Sequence, residues 1–297
     1  MSGKEDKPES YFEISLDIKS DIQEPVCNYI IENLARGLIL EEEDDADTIG
    51  IKFYLPETEG TIFKENLVNF INGQSSDFSL DPDQIRIKTI ANIEWEKAYK
   101  ESIKATIIDR VVIRPPWVKY LSPHDKIEII IEPKMAFGTG SHETTRLCVR
   151  EILKYFKSEQ TLFDLGCGSG VLSILAAKLG GRNIRGADID IIAVQNSREN
   201  IVINEVADRI EIEFGSIEKV PVSIKYDMLV ANIIKSTIIE LYDKIDRAVK
   251  AGGIIILSGL LEQDREAVSA LLSGYRNIEK IEITAEGQWL AYIIFKK

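Results

Sequence analysis

The chain has 297 residues, 44% of them hydrophobic and 29% charged, enough to bury a sizeable core in two domains. Its formal net charge of −13 repels a polyphosphate backbone and favours a basic or cationic partner. No apolar run approaches the roughly 20 residues that span a bilayer, the start MSGKEDKPES is neither a signal peptide nor an amphipathic presequence, and the scattered Cys27, Cys148 and Cys167 form no CxxC pair, so a cytoplasmic protein without membrane contact, disulfide framework or zinc site is expected.

In chain order, YFEISLDI reads as a strand, residues 24–35 as a helix, 37–42 and TIGIKFYLP as strands, 60–72 as a helix and 84–93 as a strand. The order βαββαβ is that of a ferredoxin-like sandwich. Its acidic run EEEDDAD at 41–47 reads as a solvated loop. Residues 94–104, EWEKAYKESIK, place Trp95, Ala98, Tyr99 and Ile103 at helical spacing and predict an amphipathic connecting helix. Pro115-Pro116-Trp117 and Pro123 then turn the chain ahead of a strand at 127–132.

Beyond Thr144 strand and helix alternate. TLFDLG precedes a helix from Gly170, NIRGAD a helix from Ile191, and RIEIEFG follows; YDMLVAN precedes a helix from Ser236, GGIIILSG a helix from Glu262, and NIEKIEITA with QWLAYIIFKK closes the chain as a hairpin. Repeated βα units imply a doubly wound, mostly parallel α/β sheet of seven strands, and the last pair an antiparallel edge. The expected organisation is a small N-terminal α+β domain over 1–93, a linker helix over 94–106 and the Rossmann-like domain over 107–297.

The run Asp164-Leu-Gly-Cys-Gly-Ser-Gly170 ends the first strand of the large domain and opens a helix, where an open α/β sheet places its ligand. A dinucleotide fingerprint needs G-x-G-x-x-G, and Val171 occupies the third glycine position. Asp164, two residues before Gly166, would repel a pyrophosphate, so the loop with Gly166 and Gly168 suits a cationic ligand. The next strand ends in Gly186-Ala-Asp188-Ile-Asp190, where a carboxylate can accept both hydroxyls of a ribose. A ribose with an ammonium and a sulfonium, and without phosphate, satisfies both acids: S-adenosyl-L-methionine.

The fourth strand ends in Val230-Ala-Asn232-Ile-Ile-Lys235. An amide there can accept hydrogen bonds from an amine and aim its lone pair at a methyl carbon, and in-line methyl transfer asks mainly for positioning and deprotonation. Enzymes of this chemistry that act on adenine carry an aromatic residue where Lys235 stands, to stack the flipped base. Its absence argues against nucleic acid as a direct substrate and for an aliphatic amine on a protein. His142, in the stretch MAFGTGSHETT at 135–145, has only His124 as a histidine companion and no Cys/His cluster, so no metal site is expected; residues 141–145 read as the cap and start of a helix.

Together, EWEK at 94–97, AFGTGSHETT, DLGCGSGVLSILAAKLG, GADID, VANII and GGIIILSGLLEQ resemble the ribosomal protein L11 methyltransferase (PrmA) family of class I S-adenosylmethionine-dependent methyltransferases, in motif order from about Trp95 to the C-terminus. The resemblance implies that FGTG lies over the bound cofactor, with Phe137, Gly138, Thr139 and Asn232 contacting it and Thr139 and Asn232 also forming the catalytic pocket for the acceptor amine. It implies an enzyme that methylates lysine side chains of ribosomal protein L11, with the N-terminal α-amine as an open further site, and a small domain that recognises that basic protein. A monomer is expected. The same chemistry on another protein or a small-molecule amine, or a non-catalytic assembly factor that keeps the cofactor fold, are the alternatives. The turn Phe214-Gly215-Ser216 lacks the acidic residue that often contacts adenine in the wider superfamily.

Overall fold

Two sets of apolar residues with different periodicity build two compact units, Met1–Ile103 and Lys104–Lys297. The computed structural model describes residues 10–35, 38–41, 47–57, 62–75, 77–91, 100, 103–120, 126–133, 140–220 and 223–297. Most of the expected connecting helix, with Trp95, Ala98 and Tyr99, lies outside these residues, as do most of the acidic run at 41–47 and His124.

In the first unit, strand β1 (Ser10–Lys19), helix α1 (Gln23–Asn33), strands β2 (Leu38–Glu41) and β3 (Thr48–Pro56), helix α2 (Phe63–Asn72) and strand β4 (Arg86–Ala91) follow the βαββαβ order. Antiparallel pairing gives the order β2-β3-β1-β4, the ferredoxin-like arrangement. Period-two alternation sends Ile14, Leu16 and Ile18 of β1, with Ile51 and Phe53 of β3, into one core with Val26 and Ile30 of α1 and Leu67 and Ile71 of α2. The opposite face of the sheet is polar, with Arg86 of β4 3.0 Å from Asp17 of β1 and the Tyr54 hydroxyl donating to Glu13 at 3.0 Å.

The second unit starts with a three-stranded sheet of β5 (Thr106–Ile108), β6 (Val111–Arg114) and β7 (Ile127–Ile130). The hairpin of β5 and β6 goes beyond the sequence reading, which places one strand here, at 127–132. These strands are 3 and 4 residues long, too short for alternation to register, and the turn between them relies on a left-handed φ of 50° at Asp109.

Helix α3 (Glu143–Tyr155) leads into β8 (Leu162–Leu165), α4 (Val171–Lys178), β9 (Ile184–Asp188), α5 (Ile191–Ile203), β10 (Ile210–Phe214), β11 (Tyr226–Asn232), α6 (Lys235–Arg247), β12 (Val249–Leu261), α7 (Arg265–Ser273) and the pair β13 (Ile278–Glu286) and β14 (Trp289–Lys296). The seven-stranded order is β10-β9-β8-β11-β12-β14-β13, parallel except for β14, which runs antiparallel to both neighbours. Both sheet faces are apolar, as helical cover on each side requires. Met228 and Val230 of β11 join a core with Cys148 and Ile152 of α3 and Ile174 of α4, while Leu229 and Ala231 join the other with Ile238 and Tyr242 of α6 and Val268 of α7.

Two buried asparagines of α5 fasten the small sheet to the large one. Asn204 accepts from the Ile130 amide at 2.9 Å and donates to the Ile130 carbonyl at 2.6 Å, so its carboxamide completes β7 as another strand would. One turn earlier, Asn200 accepts from the Glu132 amide at 2.9 Å and donates to the Ser169 carbonyl of the glycine loop at 2.9 Å. Asn200→Leu strands both of those backbone groups at a site of 0% exposure. It should lower unfolding stability by about 2–6 kcal/mol in urea titrations, at roughly 1–3 kcal/mol for each of the two buried unpaired groups; a loss under about 1 kcal/mol would show that water takes over both bonds.

Candidate active site

The large sheet changes winding direction beside β8: the chain runs from β8 through β9 to β10, then returns to the other side of β8 as β11. Such a reversal opens a crevice at the carboxyl ends of the two central strands. The glycine loop follows β8 and Asn232 ends β11, while Asp188 ends the adjoining β9. Topology thus brings together three segments that are distant in sequence.

Gly166 and Gly168 hold φ values of +72° and +53°, which suit residues without a Cβ. A Cβ on Gly166 would stand 2.4 Å from Cγ2 of Ile233, the residue after Asn232, so this glycine is what lets the loop and the end of β11 approach. Four loop amides are consumed inside the protein. Those of Gly166 and Cys167 donate to the Ala187 carbonyl at 2.8 and 3.2 Å, that of Gly168 to Asp188 Oδ2 at 2.8 Å, and that of Gly170 to the Cys167 carbonyl at 2.8 Å. A loop that cradles phosphate turns such N–H groups toward the ligand. Here those four are turned inward, away from any ligand.

Asp188 accepts the Asp190 amide on its other oxygen, Oδ1, at 2.9 Å. An ionised carboxylate offers about four acceptor positions, so two remain for a pair of hydroxyls. Beside it Ile189 is 76% exposed, an apolar surface that the sequence reading passed over as part of a turn. Across β9, the Gly215 amide donates to the Asp188 carbonyl at 2.9 Å, and Glu218 turns back to accept the Ser216 amide at 2.8 Å, so the third-strand turn has an acid close by although none lies within it.

Asp164 is only 1% exposed. Its Oδ2 accepts the Ser173 amide at 3.1 Å and the Ser173 hydroxyl at 2.8 Å, which ties the strand end to the first turn of α4. Burial, opposed by the Ser173 bonds and reinforced by the charge of Asp188, pushes its pKa up to about 7. Cys167, inside the loop, is held well above the ordinary thiol range by burial and by the two aspartates, so it stays a neutral thiol unsuited to nucleophilic attack.

Asn232 donates through Nδ2 to the Thr144 hydroxyl at 3.1 Å. Thr144 lies in the first turn of α3, whose N-cap His142 accepts the Thr144 amide on Nδ1 at 3.2 Å. The imidazole serves the helix cap. Lys235 forms a 2.6 Å ion pair with the buried Asp264. Phe137, Gly138 and Thr139 lie outside the described residues.

The chain matches the family model described as ribosomal protein L11 methyltransferase (PrmA) over residues 10–297. The ribosomal protein L11 methyltransferase of Clostridium botulinum is 41% identical over 207 residues, which span 70% of this chain and 64% of that protein, a little under two thirds of its length. That of Alkaliphilus metalliredigens is 31% identical over 308 residues, 95% of this chain and 96% of that protein. A crystal structure of ribosomal protein L11 methylase from Lactobacillus delbrueckii subsp. bulgaricus is similar with a TM-score of 0.59 at 28% identity, covering 65% of this chain and 98% of that one.

The raised pKa of Asp164 has a consequence for stability. Between the ordinary 3.8 and about 7 the unfolded chain has released a proton that the folded chain retains, so this group makes the fold less stable as pH rises through that interval and adds nothing further above it. The full effect is up to about 4 kcal/mol. Asp164→Asn keeps an oxygen for Ser173 and removes the titration. In denaturant titrations of the ligand-free protein, the stability of Asp164→Asn relative to wild type should rise from about pH 4 to about pH 7 and then level off; a difference independent of pH would contradict a buried, unpaired ionisation.

Proposed function

The chain belongs to the ribosomal protein L11 methyltransferase family, and on that premise we propose that it transfers methyl groups from S-adenosyl-L-methionine to amines of ribosomal protein L11 in the cytoplasm. Lysine side chains are the acceptors, with the N-terminal α-amine as a further site. The observation that carries the cofactor assignment is the internal use of the Gly166, Cys167, Gly168 and Gly170 amides, which leaves a ribose-binding cleft poorly suited to pyrophosphate.

The residues present fit this cofactor. Asp188 has acceptor positions left for the ribose hydroxyls, Ile189 offers an apolar surface to the base, and the charge of Asp164 favours a cation near the loop. When bound, S-adenosyl-L-methionine supplies a methyl carbon made electrophilic by a sulfonium. The protein has to bring a neutral amine into line with it. Holding a lysine of pKa near 10.4 in its neutral form at pH 7 costs about 4.6 kcal/mol, and exclusion from water beside a positive charge lowers that cost. Asn232, at the end of β11, accepts an N–H of the amine and directs its lone pair, while Phe137, Gly138 and Thr139 cover the cofactor and acceptor as the family's motif implies. Lys235, tied to Asp264, offers no aromatic platform for a base, which favours an aliphatic acceptor. The small unit recognises the basic substrate protein, in keeping with the net charge of −13.

The test uses purified protein, S-adenosyl-L-methionine and an undermodified mixture of ribosomal proteins. Mass spectrometry should show methyl increments on one small basic protein; increments on metabolites alone, or cofactor binding with no product, would replace this reading. Asp188→Ala should weaken cofactor binding by roughly 10- to 100-fold in calorimetry, the range expected for losing a charged hydrogen-bond acceptor. Removing residues 1–93 should leave that affinity in place and suppress methylation of the protein substrate. Retained protein methylation would show that recognition lies elsewhere.

A further inference from the structure

This inference rests on the proposed methyl transfer and concerns how the acceptor amide is oriented. A backbone N–H can only donate. Since the Thr144 amide reaches His142 Nδ1 at 3.2 Å, that nitrogen is an unprotonated acceptor, and the imidazole is neutral with its proton on Nε2. The Thr144 hydroxyl lies 2.8 Å from the same Nδ1 and, with that nitrogen unprotonated, can only be the donor of the pair, sharing the nitrogen's one lone pair with the Thr144 amide. Its lone pairs then face Asn232, which must present its NH2 group, at 3.1 Å. With Nδ2 engaged, the carboxamide has Oδ1 left for the acceptor amine.

That orientation matters for the reaction. An amine ready for methylation carries N–H donors and one lone pair needed for attack. An asparagine oxygen takes up a donor and leaves the lone pair free; an asparagine NH2 in its place would bind the lone pair and block attack. We propose that His142 and Thr144 are positioning residues that lock the Asn232 carboxamide with its oxygen toward the acceptor nitrogen. Thr144 is 1% exposed, so water does not readily substitute for its hydroxyl, and the His142 ring is fixed by an edge contact to Trp289 of β14, with centroids 4.8 Å apart at 68°. The charged groups about the ring are Glu143, whose carboxylate is 3.9 Å from Nδ1, and Arg146, which spans Glu143 at 3.0 Å and Glu286 at 2.5 Å. Arg150 also pairs with Glu286, at 2.5 Å.

The experiment compares Thr144→Val, Thr144→Ser, His142→Ala and His142→Asn in the full chain. Asparagine at 142 keeps an N-cap oxygen able to accept both Thr144 donors. Thr144→Val and His142→Ala should lower kcat by about 10- to 100-fold, the scale of a misplaced reacting group, with cofactor Kd unchanged. Thr144→Ser and His142→Asn should recover most of the rate. A Thr144→Val enzyme with wild-type kcat, or His142→Asn as slow as His142→Ala, overturns the inference. Nitrogen-15 NMR of the imidazoles gives a readout independent of turnover, and with only two histidines in the chain His142 is assigned by substituting His124. An Nε2–H tautomer at His142 is expected, and an Nδ1–H tautomer overturns the relay. Absence of methylation by the wild-type protein would instead count against the proposed function, while the tautomer still decides the relay.

Discussion

The cleft depends on one carboxylate. Asp188 takes the Gly168 amide on one oxygen and the Asp190 amide on the other, so it sets the height of the glycine loop and the start of α5 together. Because the Ala187 carbonyl collects two further loop amides, the end of β9 absorbs most of the donor capacity that a phosphate would need. This use of the loop amides is a property of the folded backbone before any ligand arrives. The same bonds fix the Asp188 carboxylate, so a ribose at this strand end, as proposed, would meet a preorganised acceptor.

Asp164 adds a tension to this arrangement. Its Ser173 bonds secure α4, yet its burial beside Asp188 disfavours ionisation. A cation bound beside the loop would favour the ionised form of Asp164. On the proposed reading, cofactor binding and the protonation of this buried structural acid would be linked.

Much of the large unit is legible in sequence because its signals are local. Apolar runs of β-strand length separated by helical stretches predict the parallel sheet, and the final hairpin follows from two such runs with Gly287 between them. The glycine loop, Asp188 and Asn232 each stand at a strand end, where the sheet must place them together. What the sequence leaves unread depends on contacts across long separations. Asn200 and Asn204 look like ordinary polar residues of a helix, but they complete β7 some 70 positions earlier in the chain. Thr144 reads as part of a helix start, and only the fold brings it to Asn232. Ser173, nine residues after Asp164, gains its meaning only once the loop closes. Strands β5 and β6 are too short to carry a period, and the FGTG segment with Thr139, readable as a motif, lies outside the described residues.

Three walls of the cleft are held by groups that also hold one another. Gly166 lets the loop close on Ile233 beside Asn232, Asn200 ties the Ser169 carbonyl of that loop to the Glu132 amide, and Glu132 lies just ahead of the residues at 134–139. Asn232 at the end of β11, the glycine loop and Glu132 are therefore referenced to the same few atoms. In the proposed in-line transfer between a sulfonium methyl and an amine there is little chemistry for side chains to perform, so the protein's contribution would be to keep these groups in position. On that reading the functional weight falls on backbone carbonyls and buried amides.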